Sequence, residues 1–177
     1  GARSRGAVVV AAAGNSAMDV SNASPANCAG VIAVAATGRT GGRARYSNFG
    51  ALVAVAAPGG DGASGVLSTL NSGTGAPAAD SYAAYQGTSM ATPHVAGVAA
   101  LMLAVNTNLT PDEIESKLKS TARAFPASCS GCGTGIVDAA AAVASATGGG
   151  GGTPVTTLAE SESNNTTGTA DPVTASN

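Results

Sequence analysis

Residues 86–103, with the sequence QGTSMATPHVAGVAALML, carry the strongest local signal in this chain. Gly87 and Thr88 are expected to bring the chain tightly into a helix. This helix begins at Ser89, and we expect it to end near Val105. Because this helix is apolar on nearly all sides, it is predicted to be central and buried. Pro93 is compatible with it, since the first turn of a helix needs few internal N–H groups. The stretch therefore predicts a serine hydroxyl at the N-terminus of a core helix.

The position of Ser89 has two interpretations. Helix N-termini have a positive potential and unpaired N–H groups, which suit a nucleophile whose attack creates an oxyanion. A serine before a helix is more commonly an ordinary N-cap. This stretch on its own leaves both interpretations open.

The segments before this helix predict an α/β fold. Residues 7–13, 31–36 and 52–57 are short apolar runs between turn residues, the pattern of parallel strands covered on both faces. Residues 66–70 and 81–86 are predicted to form a hairpin immediately before the helix. We therefore expect a parallel sheet flanked by helices, with one hairpin ahead of Ser89.

Asn15 follows the first predicted strand in the turn AAAGNS. Open α/β sheets place their sites at the carboxyl ends of parallel strands, and an amide N–H is a suitable oxyanion donor. An asparagine in a left-handed turn conformation is a common alternative at such a position. Asn15 is thus a second candidate site residue.

The segments after the helix are predicted to be structural. In LTPDEIESKLKSTAR, Thr110 is the expected N-cap, Pro111 is the first helical residue and Glu113 completes a capping box. A last helix is expected over residues 137–146. No chemistry is assigned to either helix.

Composition limits the classes of partner. Charged residues make up 10% of the chain, aromatic residues 3%, and the formal net charge is −2. These values exclude a coiled coil, an acidic disordered chain and a nucleic-acid binder held by a basic stripe. No unbroken apolar run has the length that a bilayer crossing needs. We therefore expect neither nucleic acid nor a membrane as a partner.

The chain divides after residue 146. Residues 148–152 are five consecutive glycines, and the remaining sequence has no lysine, arginine or aromatic residue. Such a segment is typical of a flexible linker followed by a chain that cannot bury a core. We predict a domain over residues 1–146 and a Gly-rich linker with a disordered C-terminal tail over 147–177.

The chain contains 3 cysteines and 1 histidine. One histidine argues against a zinc site with four protein ligands. We favour a local disulfide between Cys129 and Cys132 in a secreted protein, with Cys28 free or paired outside this chain.

Taken together, GTSMATPHVAG and VVVAAAGN resemble the signatures of the subtilisin-like serine proteases, and VIAVAAT, YSNFG and VAVAAPGG lie between them in that family's order. The resemblance spans residues 1–146 and implies a partial subtilisin-like fold. It implies Ser89 as the nucleophile and Asn15 as an oxyanion donor, with the Ser89 N–H as the second donor. Ala12, Ala13 and Gly14 would form one wall of the primary specificity pocket.

The resemblance also implies an extracellular enzyme that acts on protein or peptide substrates. It requires no cofactor for catalysis, although structural Ca²⁺ is common in the family. Asp19, Asp61 and Asp80 lie in predicted loops without the ligand spacing of a calcium loop. Metal positions are therefore not assigned.

The departures from the family pattern concern the general base. The family's order is Asp, His, Ser, but the only histidine here, His94, follows Ser89 by five residues in the same predicted helix. No DTG or HGTHV motif is present. The chain thus resembles the C-terminal part of a catalytic domain, and the catalytic Asp and His are expected in a missing N-terminal half.

Other interpretations remain at this stage. The chain can be an inactive fragment or a non-enzymatic domain. An α/β-hydrolase esterase is a weaker alternative, because its histidine follows the nucleophile by a long interval. The tail LAESESNNTTGTADPV also resembles the opening of a bacterial pre-peptidase C-terminal domain.

Overall fold

The computed structural model describes residues 1–147. Its parallel sheet has the strand order β1-β2-β3, and a separate antiparallel hairpin is formed by β4 and β5. The strands are β1 (Val10–Ala12), β2 (Ile32–Thr37), β3 (Val53–Pro58), β4 (Val66–Asn71) and β5 (Asp80–Tyr85). The helices are α1 (Thr88–Val105), α2 (Pro111–Ser120) and α3 (Ala139–Thr147), with short 3₁₀ turns at Arg3–Arg5 and Val20–Asn22. The predicted α/β class, parallel sheet and hairpin are confirmed.

The central strand β2 is buried along its whole length. Its alternate residues contribute to two hydrophobic cores, one on each face of the sheet. Ile32 and Val34 belong to the core that includes residues of all three helices. Ala33 and Ala35 belong to the opposite core, which also contains Val20 and Cys132. This two-sided burial explains why the strand sequence is a continuous apolar run.

Strand β1 is shorter than predicted. Its register places Val10 opposite Ile32 and Ala12 opposite Val34. Because β2 begins at Ile32, the ladder starts where the Ile32 N–H donates to the Val9 carbonyl at 2.9 Å, and Val10 is the first paired residue. The first predicted strand therefore begins at Val10 rather than at residue 7.

The prediction that the central helix is buried is only partly correct. One side of α1 packs on the sheet and on α3, through Ala91, Val95, Val98, Ala99 and Met102. The opposite side is open in the described part of the chain, where Leu101 is 53% exposed. The physical reason is that the three strands and α3 all cover the same side of α1.

Helix α1 also has the length and apolar composition that a membrane crossing requires. The central helices of soluble proteins share these two properties. The packing of α1 on a parallel sheet is the arrangement of a core helix.

Helix α2 begins with the predicted capping box. The Thr110 hydroxyl accepts a hydrogen bond from the Glu113 N–H at 3.3 Å, and a Glu113 carboxylate oxygen accepts one from the Thr110 N–H at 2.8 Å. The hydrogen bond from the Thr110 backbone is the main reason that the pKa of Glu113 is lowered. The charged form of Glu113 is therefore favoured in the folded state.

We expect Glu113→Ala to lower the stability of the folded chain at neutral pH but not in acid. A carboxylate whose pKa is lowered by folding stabilises the protein above its unfolded-state pKa, and this contribution disappears as pH falls through the folded-state pKa. Chemical denaturation of both proteins from about pH 7 to about pH 3 measures the difference.

Ser116→Ala on the same helix is the control, because Ser116 is exposed and does not titrate. Its effect on stability should be independent of pH. A constant difference between Glu113→Ala and the parent protein across the whole range would contradict the role of the charged carboxylate.

The disulfide prediction is confirmed in the structure. Cys129 and Cys132 are joined, with their Cα atoms 5.6 Å apart. Cys132 is fully buried in the core that lies on the face of the sheet opposite the one with residues of the three helices. Cys28, by contrast, is free and exposed. The bridge closes the turn that leads towards α3.

Candidate active site

Ser89 lies in the first turn of α1, where its side chain is exposed. The N-cap residue is Gly87, which has no side chain that could accept a capping hydrogen bond. Thr88 is the first helical residue. The interpretation of Ser89 as an ordinary N-cap is therefore wrong. The Gly87 N–H donates to the Gly59 carbonyl at 2.9 Å, which ties the helix start to the end of β3.

Thr88 connects this helix start to Asn15. The Asn15 Oδ1 accepts hydrogen bonds from the Thr88 N–H at 2.9 Å and from the Thr88 hydroxyl at 2.8 Å. The Thr88 hydroxyl in turn accepts from the Gly14 N–H at 3.2 Å. Thr88 is fully buried, whereas Asn15 is exposed, so the network joins the interior to the surface of the site. It fixes which end of the Asn15 amide faces Thr88.

The Nδ2 end of Asn15 is consequently left without a contact to Thr88 and lies beside Gly87. Both Asn15 Nδ2 and the Ser89 backbone N lie 3.6 Å from one point, the position that a Cβ would take on Gly87. Within residues 1–147 neither group donates a hydrogen bond to a protein acceptor. Two N–H groups without a protein acceptor thus lie close together beside an exposed serine, and an oxyanion site needs such a pair of donors.

The alternative interpretation of Asn15 is wrong. Among the described residues, a single non-glycine residue has a positive φ, and it is Ala17, at 51°. Asn15 therefore does not occupy the left-handed conformation that favours asparagine in turns. Its place is explained by the hydrogen bonds of its side chain.

The residues predicted to form a specificity wall lie between β1 and Asn15. Ala12 ends β1, and Ala13 continues the ladder by donating from its N–H to the Val34 carbonyl at 2.9 Å. Ala13 is fully buried, whereas Ala12 and Gly14 are half-buried. Only Ala12 and Gly14 therefore present surface at the side of the site.

Asn48 is a residue of this region to which the sequence analysis assigned no role. Its Nδ2 donates to the Ala13 carbonyl at 2.8 Å, and its backbone N–H donates to the Gly14 carbonyl at 2.9 Å. It lies in the YSNFG segment after β2, far from Asn15 in sequence. The resemblance of that segment to the family was the one signal that pointed to it.

Tyr46 holds the other side of the helix start. Its hydroxyl lies 2.8 Å from the Gly59 carbonyl oxygen and 2.6 Å from that of Gly60. Burial is the main cause that raises the pKa of Tyr46, and nearby Asp61 raises it further. The hydroxyl therefore stays protonated and able to donate at neutral pH.

His94 is not placed to accept the Ser89 proton. It lies on the exposed side of α1, and its Nδ1 is 2.8 Å from the Met90 carbonyl oxygen of its own helix. No hydrogen bond joins it to Ser89 in the described part of the chain. The sequence-based view that His94 is not the general base agrees with this geometry.

The three aspartates considered for calcium do not fit a shared site. Asp19 accepts from the Ser21 N–H at 2.8 Å, which is the main reason that its pKa is lowered. Asp61 pairs with Arg45 at 3.2 Å, and Asp80 begins β5. Among residues 1–147 no group of three or more His, Cys, Asp or Glu side chains converges.

Comparison with known proteins identifies the family. The sequence matches the model of the subtilase family over residues 1–169. The chain belongs to the subtilase family. Subtilases are serine proteases, so the protease class implied by the sequence motifs is confirmed at the level of the family.

Individual relatives support the same assignment for this subtilase chain. An extracellular protease of Xanthomonas campestris pv. campestris is 58% identical over 141 residues, covering 78% of this chain and 24% of that protein. Subtilisin BL of Lederbergia lenta is 43% identical over 138 residues, covering 78% of this chain and 46% of that protein. A solved protease of Pseudoalteromonas arctica PAMC 21717 has a TM-score of 0.79 and 61% identity, covering 82% of this chain and 44% of that one.

The subtilase chain therefore spans less than half the length of each of these three proteins. The described residues have the subtilisin-like fold. The further resemblance, to a pre-peptidase C-terminal domain, falls on residues outside the described part of the chain, as do the predicted linker and tail apart from Thr147, which ends α3. The division at residue 146 remains a prediction.

Proposed function

We propose that this subtilase chain supplies the nucleophile and the oxyanion site of a serine endopeptidase. The observation that carries the proposal is the pair of N–H donors, Asn15 Nδ2 and Ser89 N, beside the exposed Ser89 side chain. Thr88 sets the orientation of the Asn15 amide through two hydrogen bonds. Donors held in place before the reaction lower its barrier, because they need no reorganisation when charge develops.

In this mechanism the Ser89 Oγ attacks the carbonyl carbon of the scissile peptide bond and loses its proton to a general base. The tetrahedral oxyanion accepts hydrogen bonds from Asn15 and from the Ser89 N–H. The leaving amine takes the proton as the C–N bond breaks, which leaves an ester on Ser89. Water then hydrolyses the ester by the same route and regenerates the serine.

The general base and its carboxylate come from residues outside this 177-residue sequence. Support comes from the position of His94, the one histidine of the chain, which lies against its own helix. The relatives are at least twice as long as the matched region. Among residues 1–147, one side of α1 is open and one edge of β1 has no neighbouring strand, which provides apolar surface against which an N-terminal half of the same catalytic domain would pack.

The substrate is a protein or peptide, and the segment 12–14 borders the residue on the acyl side of the scissile bond. Two observations support this placement: Ala12 and Gly14 are half-buried, and the Gly14 N–H donates to the hydroxyl of Thr88, the neighbour of Ser89, at 3.2 Å. A secreted location is supported by the Cys129–Cys132 disulfide and by the printed names of the extracellular relatives.

Labelling with a fluorophosphonate probe tests the proposal. The reagent modifies a serine only where a base activates it. We expect no labelling of the 177-residue chain alone, and labelling at Ser89 after co-expression with an N-terminal subtilase half. Mass spectrometry of the modified peptide identifies the residue, and Ser89→Ala is the matched control.

His94→Ala in the co-expressed complex tests whether the general base is His94 or a residue outside the chain. If the base lies outside the chain, this variant keeps the labelling rate and the pH profile of kcat. Loss of labelling in a folded His94→Ala protein, or labelling of the chain alone, would overturn the proposal.

A further inference from the structure

Asn48 is a buried polar residue whose hydrogen bonds surround the Asn15 segment. Its exposed fraction is 2%. Its Oδ1 accepts from the Ser16 N–H at 3.0 Å and from the Met18 N–H at 3.1 Å. Its Nδ2 and its backbone N–H donate to the carbonyls of Ala13 and Gly14, as described above. One side chain and its own amide thus bind the chain on both sides of Asn15, with no hydrogen bond to Asn15 itself.

The fit between Asn48 and the segment is close. Gly14 has a φ of +107°, and a Cβ on it would overlap the Asn48 Nδ2. The side chain donates towards Ala13 from Nδ2 and accepts from two N–H groups at Oδ1, and a terminal amide supplies the donor and the acceptor on separate atoms. Aspartate would retain the acceptor but would direct a second acceptor at the Ala13 carbonyl.

We propose that Asn48 is a positioning residue for the oxyanion donor. It fixes the path of residues 13–18, and thereby the place from which the Asn15 amide extends towards Ser89. This inference rests on the proposed function of Asn15 and deepens it.

Asn48 and Thr88 then have separate tasks. Thr88 holds Oδ1 of the Asn15 amide and so leaves Nδ2 free beside Gly87 and Ser89, because both of its contacts go to Oδ1. Asn48 determines where the backbone that carries Asn15 lies. A displacement of about 1 Å in a catalytic group can cost about 10²-fold in rate. Loss of Asn48 is therefore expected to act on turnover through Asn15.

A double-mutant cycle in the active complex tests this dependence. We expect Asn48→Ala to lower kcat by about 10-fold to 100-fold with little change in KM. In an Asn15→Leu background the same change should lower kcat by no more than about 2-fold, because the donor that Asn48 positions is already absent. Equal effects in both backgrounds would overturn the inference. Asn48→Asp keeps the side-chain size and should still lose turnover, since it cannot donate to Ala13.

Thr37→Val is the control for a purely structural loss. Thr37 is also 2% exposed, and its hydroxyl donates to the Ala57 carbonyl at 3.3 Å, away from the Asn15 segment. It should reduce thermal stability without changing kcat, and its effect should be the same in both Asn15 backgrounds.

Amide hydrogen exchange provides a measurement that does not need activity. In Asn48→Ala, exchange at Ser16 and Met18 should accelerate by more than tenfold relative to Thr37→Val, because those two N–H groups lose their acceptor. Unchanged exchange would overturn the inference even if kcat falls. If the parent complex hydrolyses no peptide, the proposed function fails, and exchange alone then decides whether Asn48 holds the segment.

Discussion

Replacement of Ser89 by alanine in the active complex is expected to reduce kcat by about 10⁶-fold, the scale found when the nucleophile of a subtilisin is removed. The substitution removes the only atom of this residue that can form the acyl intermediate. Peptide binding should change little, because the Ser89 side chain contributes little contact area beyond its hydroxyl. Steady-state hydrolysis of a chromogenic peptide, together with a single-turnover measurement, gives kcat and KM separately.

The folded state should tolerate this change. Ser89 is exposed, and its side chain forms no hydrogen bond with any of the described residues. Loss of its hydroxyl should therefore leave the thermal midpoint of unfolding nearly unchanged. Ser68→Ala, which removes an exposed hydroxyl from β4, is the control and should retain full turnover. Substantial activity in a purified, folded Ser89→Ala complex would show that the nucleophile lies elsewhere.

Asn15→Leu is expected to lower kcat by about 10²–10³-fold, the scale known for removing one oxyanion donor from a subtilisin. KM should change little, since the amide binds the developing oxyanion more strongly than the carbonyl of the bound substrate. Leucine also removes the acceptor of the two Thr88 hydrogen bonds, so a loss of stability is expected beside the loss of turnover.

Asn15→Asp separates these two effects. Aspartate keeps an oxygen that accepts from the Thr88 N–H and hydroxyl, but it has no N–H to offer the oxyanion. Its kcat should fall at least as far as that of Asn15→Leu, while its thermal stability should be closer to that of the parent. An unchanged kcat in either variant would remove Asn15 from the mechanism.

The predictions made from sequence succeeded where a local pattern has a direct physical cause. The apolar runs of β2 and β3 predicted buried parallel strands, because side chains covered on both faces leave no place for polar residues. The capping box of α2 followed from two residues three positions apart, Thr110 and Glu113, that bond to each other. The Cys129–Cys132 disulfide joins residues only three positions apart, so local chain geometry brings them together.

The predictions failed where the outcome depended on distant residues. Strand β1 begins at Val10 because its partner begins at Ile32, a limit that residues 7–9 do not reveal. The apolar composition of α1 suggested burial on every side, but burial depends on which elements are present to cover each side. The role of Asn48 depends on contacts with residues more than thirty positions earlier in the chain.

The sequence by itself determined the α/β class, the order of the elements and the identities of Ser89 and Asn15 as candidate site residues. These follow from periodicity, from turn chemistry and from motifs that lie within a few consecutive residues. Only the tertiary structure decided that Asn15 Oδ1 is bound by Thr88, that Nδ2 lies near the Ser89 N–H, and that Asn48 bonds to the residues on both sides of Asn15. Those contacts join residues separated by 32 to 73 positions, and hydrogen bonds of that kind exist only after the sheet and α1 have packed together.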